Sequence, residues 1–143
     1  MSAEGETGVI LGMGTDVVEI HRIRQAYERY GERLLLRVLA PGELAAAARM
    51  VEPRRIEYLA GRFAAKEALA KAAGMGLGRL RMAAVEVRLT PSGLTAVWLD
   101  AGMAQAFAGE AWHVSIAHGR TVAVATAIRE RRDGAETSGR ART

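Results

Sequence analysis

The chain has 143 residues, 50% of them hydrophobic, which is enough to build one domain around one core. Its 20 Lys and Arg against 16 Asp and Glu give a net charge of +4, which indicates an acidic or phosphorylated partner without selecting nucleic acid. The absence of cysteine excludes disulfides and thiolate metal sites. We expect a cytoplasmic protein with no membrane partner, because the first segment is polar and acidic and no apolar run is long enough to span a membrane.

The first part of the chain predicts one strand followed by mainly helical segments. Residues 9–20 combine β-branched side chains with two glycines, which is typical of a strand that bends or is closely approached. Asp16 has poor β-propensity, so it either caps a following turn or faces a charged group. Apolar spacing then predicts a helix over 20–31, a short apolar turn over 34–39 and a helix over 43–50.

Residues 58–78 are predicted to form a central helix, because they are rich in Ala, Leu, Lys and Glu, lack proline and end in glycines. The chain has only two lysines, Lys66 and Lys71, and both lie in this helix beside Glu67. Lysine differs from arginine most where phosphate or proton transfer is involved. An ordinary Glu-to-Lys pair on a solvated helix face explains the same spacing equally well.

Beyond this helix the apolar residues alternate, which is typical of strands. Residues 85–89 and 94–99 predict an antiparallel hairpin around a Pro-Ser-Gly turn. A short helix over 103–108 and strands over 112–116 and 122–128 follow.

No internal repeat or linker divides the chain. We expect a flexible N-terminus over residues 1–8 and a single domain over 9–130. Residues 131–143 are polar and contain glycine, which predicts a disordered tail.

The acids Asp16 and Glu67 suggest a metal site if the first strand lies beside the central helix. Two carboxylates about 5 Å apart repel by roughly 3 kcal/mol at an effective dielectric near 20. A divalent cation would cancel that repulsion, and magnesium is commonly bound by one or two carboxylates, with substrate phosphates and water completing the shell. Nearby cations suited to a pyrophosphate are Arg62, Lys66 and Lys71.

The histidines and the arginine-rich segment indicate less specific chemistry. His113 and His118 are five residues apart on or near one strand, so they point to opposite faces and do not suggest zinc. Residues 22–37 carry five arginines against two glutamates, which indicates either a docking surface or ordinary solvation. A non-catalytic basic module that binds nucleic acid through this segment is the alternative function.

Three separated motifs together resemble the bacterial holo-acyl-carrier-protein synthases, the small phosphopantetheinyl transferases. They are GMGTDVVEIHRI over Gly12–Ile23, FAAKEALAKAAGMG over Phe63–Gly76 and HVSIAHGRTVAVATAI over His113–Ile128. Their order and spacing agree over roughly residues 9–130. The resemblance implies transfer of 4'-phosphopantetheine from coenzyme A to a serine of apo acyl carrier protein, in support of fatty acid biosynthesis, with no nucleic-acid partner.

The resemblance also implies roles for individual residues. Asp16 and Glu67 would bind Mg²⁺, and these two acids and Lys71, which would meet the pyrophosphate, form the expected catalytic group. Other residues would lie around the coenzyme: Arg62, Phe63, Lys66, Gly74, His113 and Ser115. Basic residues of the segment after the first motif would face the acidic carrier protein: Arg22, Arg24, Arg29 and Arg33.

The family further implies an assembly and a fold. We expect a homotrimer with its sites at subunit interfaces. We predict an α+β single domain with a mainly antiparallel sheet packed on helices, similar to phosphopantetheinyl transferases.

Overall fold

The computed structural model describes residues 8–76 and 78–132. Within them the chain forms five strands, which make one antiparallel sheet in the order β1-β5-β4-β3-β2. The strands are β1 (Gly8–Glu19), β2 (Val85–Thr90), β3 (Gly93–Trp98), β4 (Glu110–His118) and β5 (Val122–Arg132). The helices are α1 (Ile20–Tyr30), α2 (Glu32–Val38), α3 (Pro41–Ala48), α4 (Arg54–Ala72) and α5 (Ala101–Ala106), with a 3₁₀ turn at Met82–Ala84. This architecture confirms the α+β prediction.

Helix α4 lies across one face of the sheet and makes the main core with it. Its small buried residues pack against alanines of β5, including Ala125 and Ala127. Small side chains on both partners allow the helix and the sheet to approach closely. A second buried cluster, which includes Ile20, Val38 and Leu59, joins α1 and α2 to the first half of α4.

The approach is closest at the two glycines of β1. A Cβ on Gly14 would lie 2.1 Å from the carbonyl oxygen of Ala68, and one on Gly12 would lie 2.1 Å from that of Ala72. Only residues without a side chain fit there, so the glycines bring the backbone of β1 directly against α4. The next inward-pointing residue of the strand is Asp16, which therefore lies beside the last two turns of the helix.

The other face of the sheet points away from α4. Since alternate residues of a strand point to opposite faces, Met13, Thr15 and Val17 lie on this outer face. Met13 and Val17 are 63% and 60% exposed. Their partners in β5, across the strand pair, are Ile128, Thr126 and Val124. The outer face of β1 and β5 is therefore apolar and open.

The structure decides between the two alternatives for Asp16 and extends two strands beyond their predicted ends. Asp16 lies inside β1 and does not cap a turn, because the strand continues to Glu19. Gly8, Arg131 and Arg132 belong to β1 and β5, so they are not part of the terminal segments predicted to be flexible or disordered. The rest of those segments, residues 1–7 and 133–143, lies outside the described residues. No helix in the described ranges is long and apolar enough to cross a membrane.

Candidate active site

Asp16 of β1 and Lys71 of α4 meet at the edge of the helix-sheet contact. The Lys71 ammonium donates to the backbone carbonyl of Thr15 at 2.9 Å and to Oδ1 of Asp16 at 3.3 Å. The Asp16 side chain is largely covered, whereas about half of the Lys71 side chain is exposed. The ammonium is therefore attached to the site but remains accessible to a ligand.

Glu67 lies one helical turn before Lys71 and faces the same site. Partial burial raises the pKa of Glu67, the negative charge of Asp16 raises it further, and Lys71 partly opposes both effects. The two carboxylates therefore interact through their charges, as expected from the sequence. The arrangement is two acids and one ammonium at a solvent-accessible edge.

The donor set of this site fits magnesium. Asp16 and Glu67 supply two carboxylates, and among residues 8–76 and 78–132 no group of three or more His, Cys, Asp or Glu side chains could enclose a metal. Magnesium keeps several waters and is usually held by one or two carboxylates plus substrate phosphates, so it does not need a complete protein cage. A cation here would also relieve the repulsion from Asp16, which adds to the effect of burial in raising the pKa of Glu67.

A cavity of about 920 Å³ lies beside Glu67, between α4, α1, α2 and the 3₁₀ turn. Phe63 and Ala70 of α4 form one wall, and Tyr30 and Leu34 form part of the opposite wall. Three arginines also line it: Arg33, Arg37 and Arg81. The cavity thus joins an apolar interior to a basic border next to the acidic pair.

Lys66 lies along the wall of this cavity, but its ammonium is directed into the protein, unlike the coenzyme ligand that the sequence suggested. Its side chain is 0% exposed, and burial lowers its pKa, an effect that Glu43 partly offsets. The ammonium donates to the carbonyl oxygens of Val38 at 2.7 Å and Met82 at 2.9 Å and to the Glu43 carboxylate. All three of its protons have acceptors inside the protein, so none is left for a phosphate.

Arg62 also lies away from the acidic pair. It precedes Lys71 by nine residues, which places the two side chains about 180° apart around the helix. The Arg62 guanidinium donates to the carbonyl oxygen of Val87 at 3.3 Å and lies 4.5 Å from the ring centre of Tyr58. One chain therefore does not bring Arg62 together with Asp16 and Glu67.

His113 and Ser115 lie on the outer face of the sheet. Their neighbours Trp112 and Val114 are buried in the core under α4, so the side chains between them point the opposite way. Nε2 of His113 is 2.9 Å from Oε1 of Glu130. A single chain consequently separates these two residues from the acidic pair by the thickness of the sheet.

The remaining predicted residues lie just after α4 and on α1 and α2. Gly74 follows α4 with a φ of +74°, a conformation that favours glycine, and a Cβ there would meet no atom within 4 Å. Arg22 and Arg29 are exposed on α1, and Arg33 is exposed on α2, whereas Arg24 is half-buried. Of these four arginines, Arg33 lines the cavity. The predicted carrier surface is thus basic and adjoins the cavity.

Comparison with known proteins identifies the relatives of this chain. A family model described as the 4'-phosphopantetheinyl transferase superfamily matches residues 12–127. The chain belongs to this superfamily. The match confirms the resemblance inferred from the three motifs.

Individual relatives agree with this assignment. The chain is 43% identical over 125 residues to the holo-[acyl-carrier-protein] synthase of Shewanella sp. (strain W3-18-1), covering 85% of this chain and 97% of that protein. It is 40% identical over 126 residues to the same-named protein of Solidesulfovibrio magneticus, covering 85% and 99%. The solved synthase of Bacillus anthracis in complex with CoA (3',5'-ADP) has a TM-score of 0.70 at 32% identity, covering 85% and 97%. That of Helicobacter pylori in complex with coenzyme A has a TM-score of 0.69 at 26% identity, covering 82% and 98%.

No site prediction from the sequence included Glu43, the buried partner of Lys66. Its side chain is 2% exposed, and its carboxylate accepts hydrogen bonds from the backbone N–H groups of Ala40 at 2.9 Å and Val87 at 2.7 Å. The available signal was an acid in the first turn of a helix that begins with proline, where a carboxylate can reach back to a free N–H. That signal indicates a local cap and says nothing about a partner 23 residues away.

Proposed function

We propose that this chain transfers 4'-phosphopantetheine from coenzyme A to a serine of apo acyl carrier protein, with release of adenosine 3',5'-bisphosphate. The observation that carries the proposal is the group of Asp16, Glu67 and Lys71 in a member of the phosphopantetheinyl transferase superfamily. Curated relatives of similar length are holo-acyl-carrier-protein synthases, and two solved relatives hold coenzyme A or its 3',5'-ADP portion. The product would supply fatty acid biosynthesis in the cytoplasm.

The chemistry divides among the three side chains. Asp16 and Glu67 would hold Mg²⁺, which would supply positive charge at the pyrophosphate of the coenzyme. Lys71 is attached to the strand by Thr15 yet half-exposed, so its ammonium is placed to contact a phosphate oxygen. It acts there either as a constant positive charge or as the proton donor to the departing phosphate. Burial and the charge of Asp16 raise the pKa of Glu67, which makes its carboxylate a candidate base for the serine proton.

The cavity beside Glu67 suits the rest of the transferred group. Its volume of about 920 Å³ falls within the usual range for small-molecule sites. The walls formed by Tyr30, Leu34 and Phe63 match an uncharged pantetheine arm, and the arginines at the border match phosphate or an acidic protein. The exposed arginines of α1 and α2 then provide the docking surface for the carrier.

We further propose that the protein assembles as a homotrimer through the outer face of the sheet. An open apolar face on a sheet typically marks an interaction site, and Met13, Val17 and Val124 contribute to this one. His113 and Ser115 lie on the same face of β4. A neighbouring copy packed there can bring them to the coenzyme, which a single chain cannot.

One assay tests the function. The purified protein is incubated with coenzyme A, an apo acyl carrier protein and magnesium, and the carrier is weighed by mass spectrometry. We expect the added mass of one phosphopantetheine on the carrier, and none when the carrier serine is replaced by alanine. A basic module that only binds nucleic acid would leave the carrier unchanged and would show steeply salt-dependent binding to DNA or RNA instead.

A further inference from the structure

The carboxylate of Glu43 joins three separate elements. Oε1 accepts from the backbone N–H of Ala40 at 2.9 Å and from the Lys66 ammonium, and Oε2 accepts from the backbone N–H of Val87 at 2.7 Å. These contacts connect the start of α3 to α4 and β2. Because the side chain is 2% exposed, water cannot substitute for any of these partners.

Lys66 extends the same network to the cavity walls. Its ammonium also donates to the carbonyl oxygens of Val38, the last residue of α2, and Met82, the first residue of the 3₁₀ turn. Val38 and Met82 both line the cavity, as does Glu67. One buried ammonium therefore attaches two cavity walls to the helix that carries a catalytic acid.

The network also restrains the rotation of α4. Lys66 immediately precedes Glu67, and neighbouring residues of an α-helix are about 100° apart around its axis. The three acceptors of the Lys66 ammonium lie on α2, α3 and the 3₁₀ turn, so they oppose a rotation of α4 that would move Glu67 away from Asp16. A buried ion pair is weak support for stability in itself but can specify one geometry.

We propose that Glu43 is a positioning residue for the transfer reaction: through Lys66 it holds the cavity walls at Val38 and Met82 and the orientation of Glu67. This inference rests on the proposed function. Glu43 touches neither the acidic pair nor the cavity, so it acts through the Lys66 ammonium and the segments attached to it. Its second cationic neighbour, Arg62, lies 3.7 Å from Oε2 and away from the acidic pair.

The test replaces Glu43 and Lys66 together, so that neither is left as an unpaired buried charge. Arg62, the other cation beside Glu43, is 18% exposed and keeps its access to water and to the Val87 carbonyl oxygen. Glu43→Gln alone would leave the buried Lys66 ammonium without an opposite charge and risks misfolding. The decisive variant is therefore the double substitution Glu43→Gln with Lys66→Met, which preserves volume and neutralises both groups. The matched control is Arg55→Gln. Arg55 attaches the start of α4 to the carbonyl oxygens of Ala47 and Met50, far along the helix from Glu67.

Three quantities are measured on each full-length variant: Tm, amide hydrogen exchange over residues 36–39 and 80–84, and kcat and KM for coenzyme A well below Tm. We expect the double variant to fold with a Tm close to that of the unaltered protein. Its two cavity segments should exchange faster, and kcat/KM should fall by on the order of tenfold to a hundredfold. Arg55→Gln should lower Tm without changing kcat/KM or the exchange of those segments.

Either of two results overturns the proposal: unchanged exchange in the cavity segments of the double variant, or an unchanged kcat/KM. An equal loss of kcat/KM in Arg55→Gln would overturn it as well, because general loss of stability would then explain the effect. If the unaltered protein transfers nothing, the proposed function is refuted. The exchange measurement still decides whether Glu43 holds the cavity.

Discussion

The Lys71 ammonium lies 3.3 Å from the carboxylate of Asp16, and the two residues are 55 positions apart in the sequence. This contact exists because two glycines of β1 let the strand touch the backbone of α4. The contact between the glycines of β1 and α4 therefore brings the charges of the site together.

The first prediction concerns the charge of Glu67. Its pKa is raised above the ordinary value of 4.5, so ionisation of Glu67 costs the folded state stability. Below the ordinary pKa Glu67 is neutral and this cost is absent. The free energy of unfolding then falls as the pH rises through the raised pKa. We expect Glu67→Gln to have a higher Tm than the unaltered protein at pH 8 and the same Tm at pH 4, as measured by thermal unfolding without magnesium.

The same variant should lose transfer activity, because Gln cannot act as a base and is a weak ligand for magnesium. Added magnesium should raise the Tm of the unaltered protein more than that of Glu67→Gln. Full activity of Glu67→Gln in the presence of a chelator would contradict the metal-binding role.

The second prediction separates two roles of Lys71. Lys71→Arg keeps the positive charge, but a guanidinium does not release a proton near neutral pH. We expect near-normal affinity for coenzyme A and a single-turnover rate reduced on the order of tenfold or more, in the range typical of a lost acid or base. Rapid-quench measurements and calorimetry report the two quantities separately.

Arg54→Lys, an exposed substitution in the first turn of α4, is the control for this comparison. Lys66→Arg is unsuitable, because the Lys66 side chain is completely buried and a larger guanidinium would disrupt its three hydrogen bonds. An unchanged rate for Lys71→Arg across the pH range would leave only the electrostatic role.

The third prediction tests the glycine contact. In Gly14→Ala the new Cβ would lie 2.1 Å from the carbonyl oxygen of Ala68 and 2.9 Å from the backbone nitrogen of Ala72, so strand and helix must separate. We expect the free energy of unfolding, measured with urea, to fall by about 1–3 kcal/mol. Magnesium should also bind more weakly. Gly119→Ala is the matched control, since a Cβ there would meet no atom within 4 Å. Equal stability of the two variants would show that the contact is not tight.

The fourth prediction tests the outer face of the sheet as the assembly surface. Val17 is 60% exposed in one chain, so Val17→Asp should leave the fold of the subunit unchanged. It should convert the trimer to monomers in light scattering and lower the transfer activity, because His113 would no longer reach a neighbouring site. Leu89→Asp, at a residue 75% exposed on β2, should keep the assembly intact. An unaltered protein that is monomeric at assay concentrations would refute the proposed trimer.

The local sequence was sufficient to predict the main helices and strands and the family. The apolar spacing from Ile20 to Tyr30 is a property of neighbouring residues and predicts α1 without knowledge of the rest of the chain. The motifs Gly12–Ile23 and Phe63–Gly76 likewise carry the family resemblance in contiguous residues. Each of these features depends on residues close together in the sequence, so long-range contacts are not needed to predict it.

The tertiary structure alone decided what the two lysines do. Lys66 and Lys71 lie in one helix, but five residues correspond to about 140° around the axis, so one points into the core and the other toward Asp16. The partners that distinguish them, Glu43 and Thr15, are 23 and 56 residues away. The orientation of His113 away from the acids depends in the same way on which face of the sheet α4 covers. Such assignments follow from long-range contacts, which no periodicity in the sequence expresses.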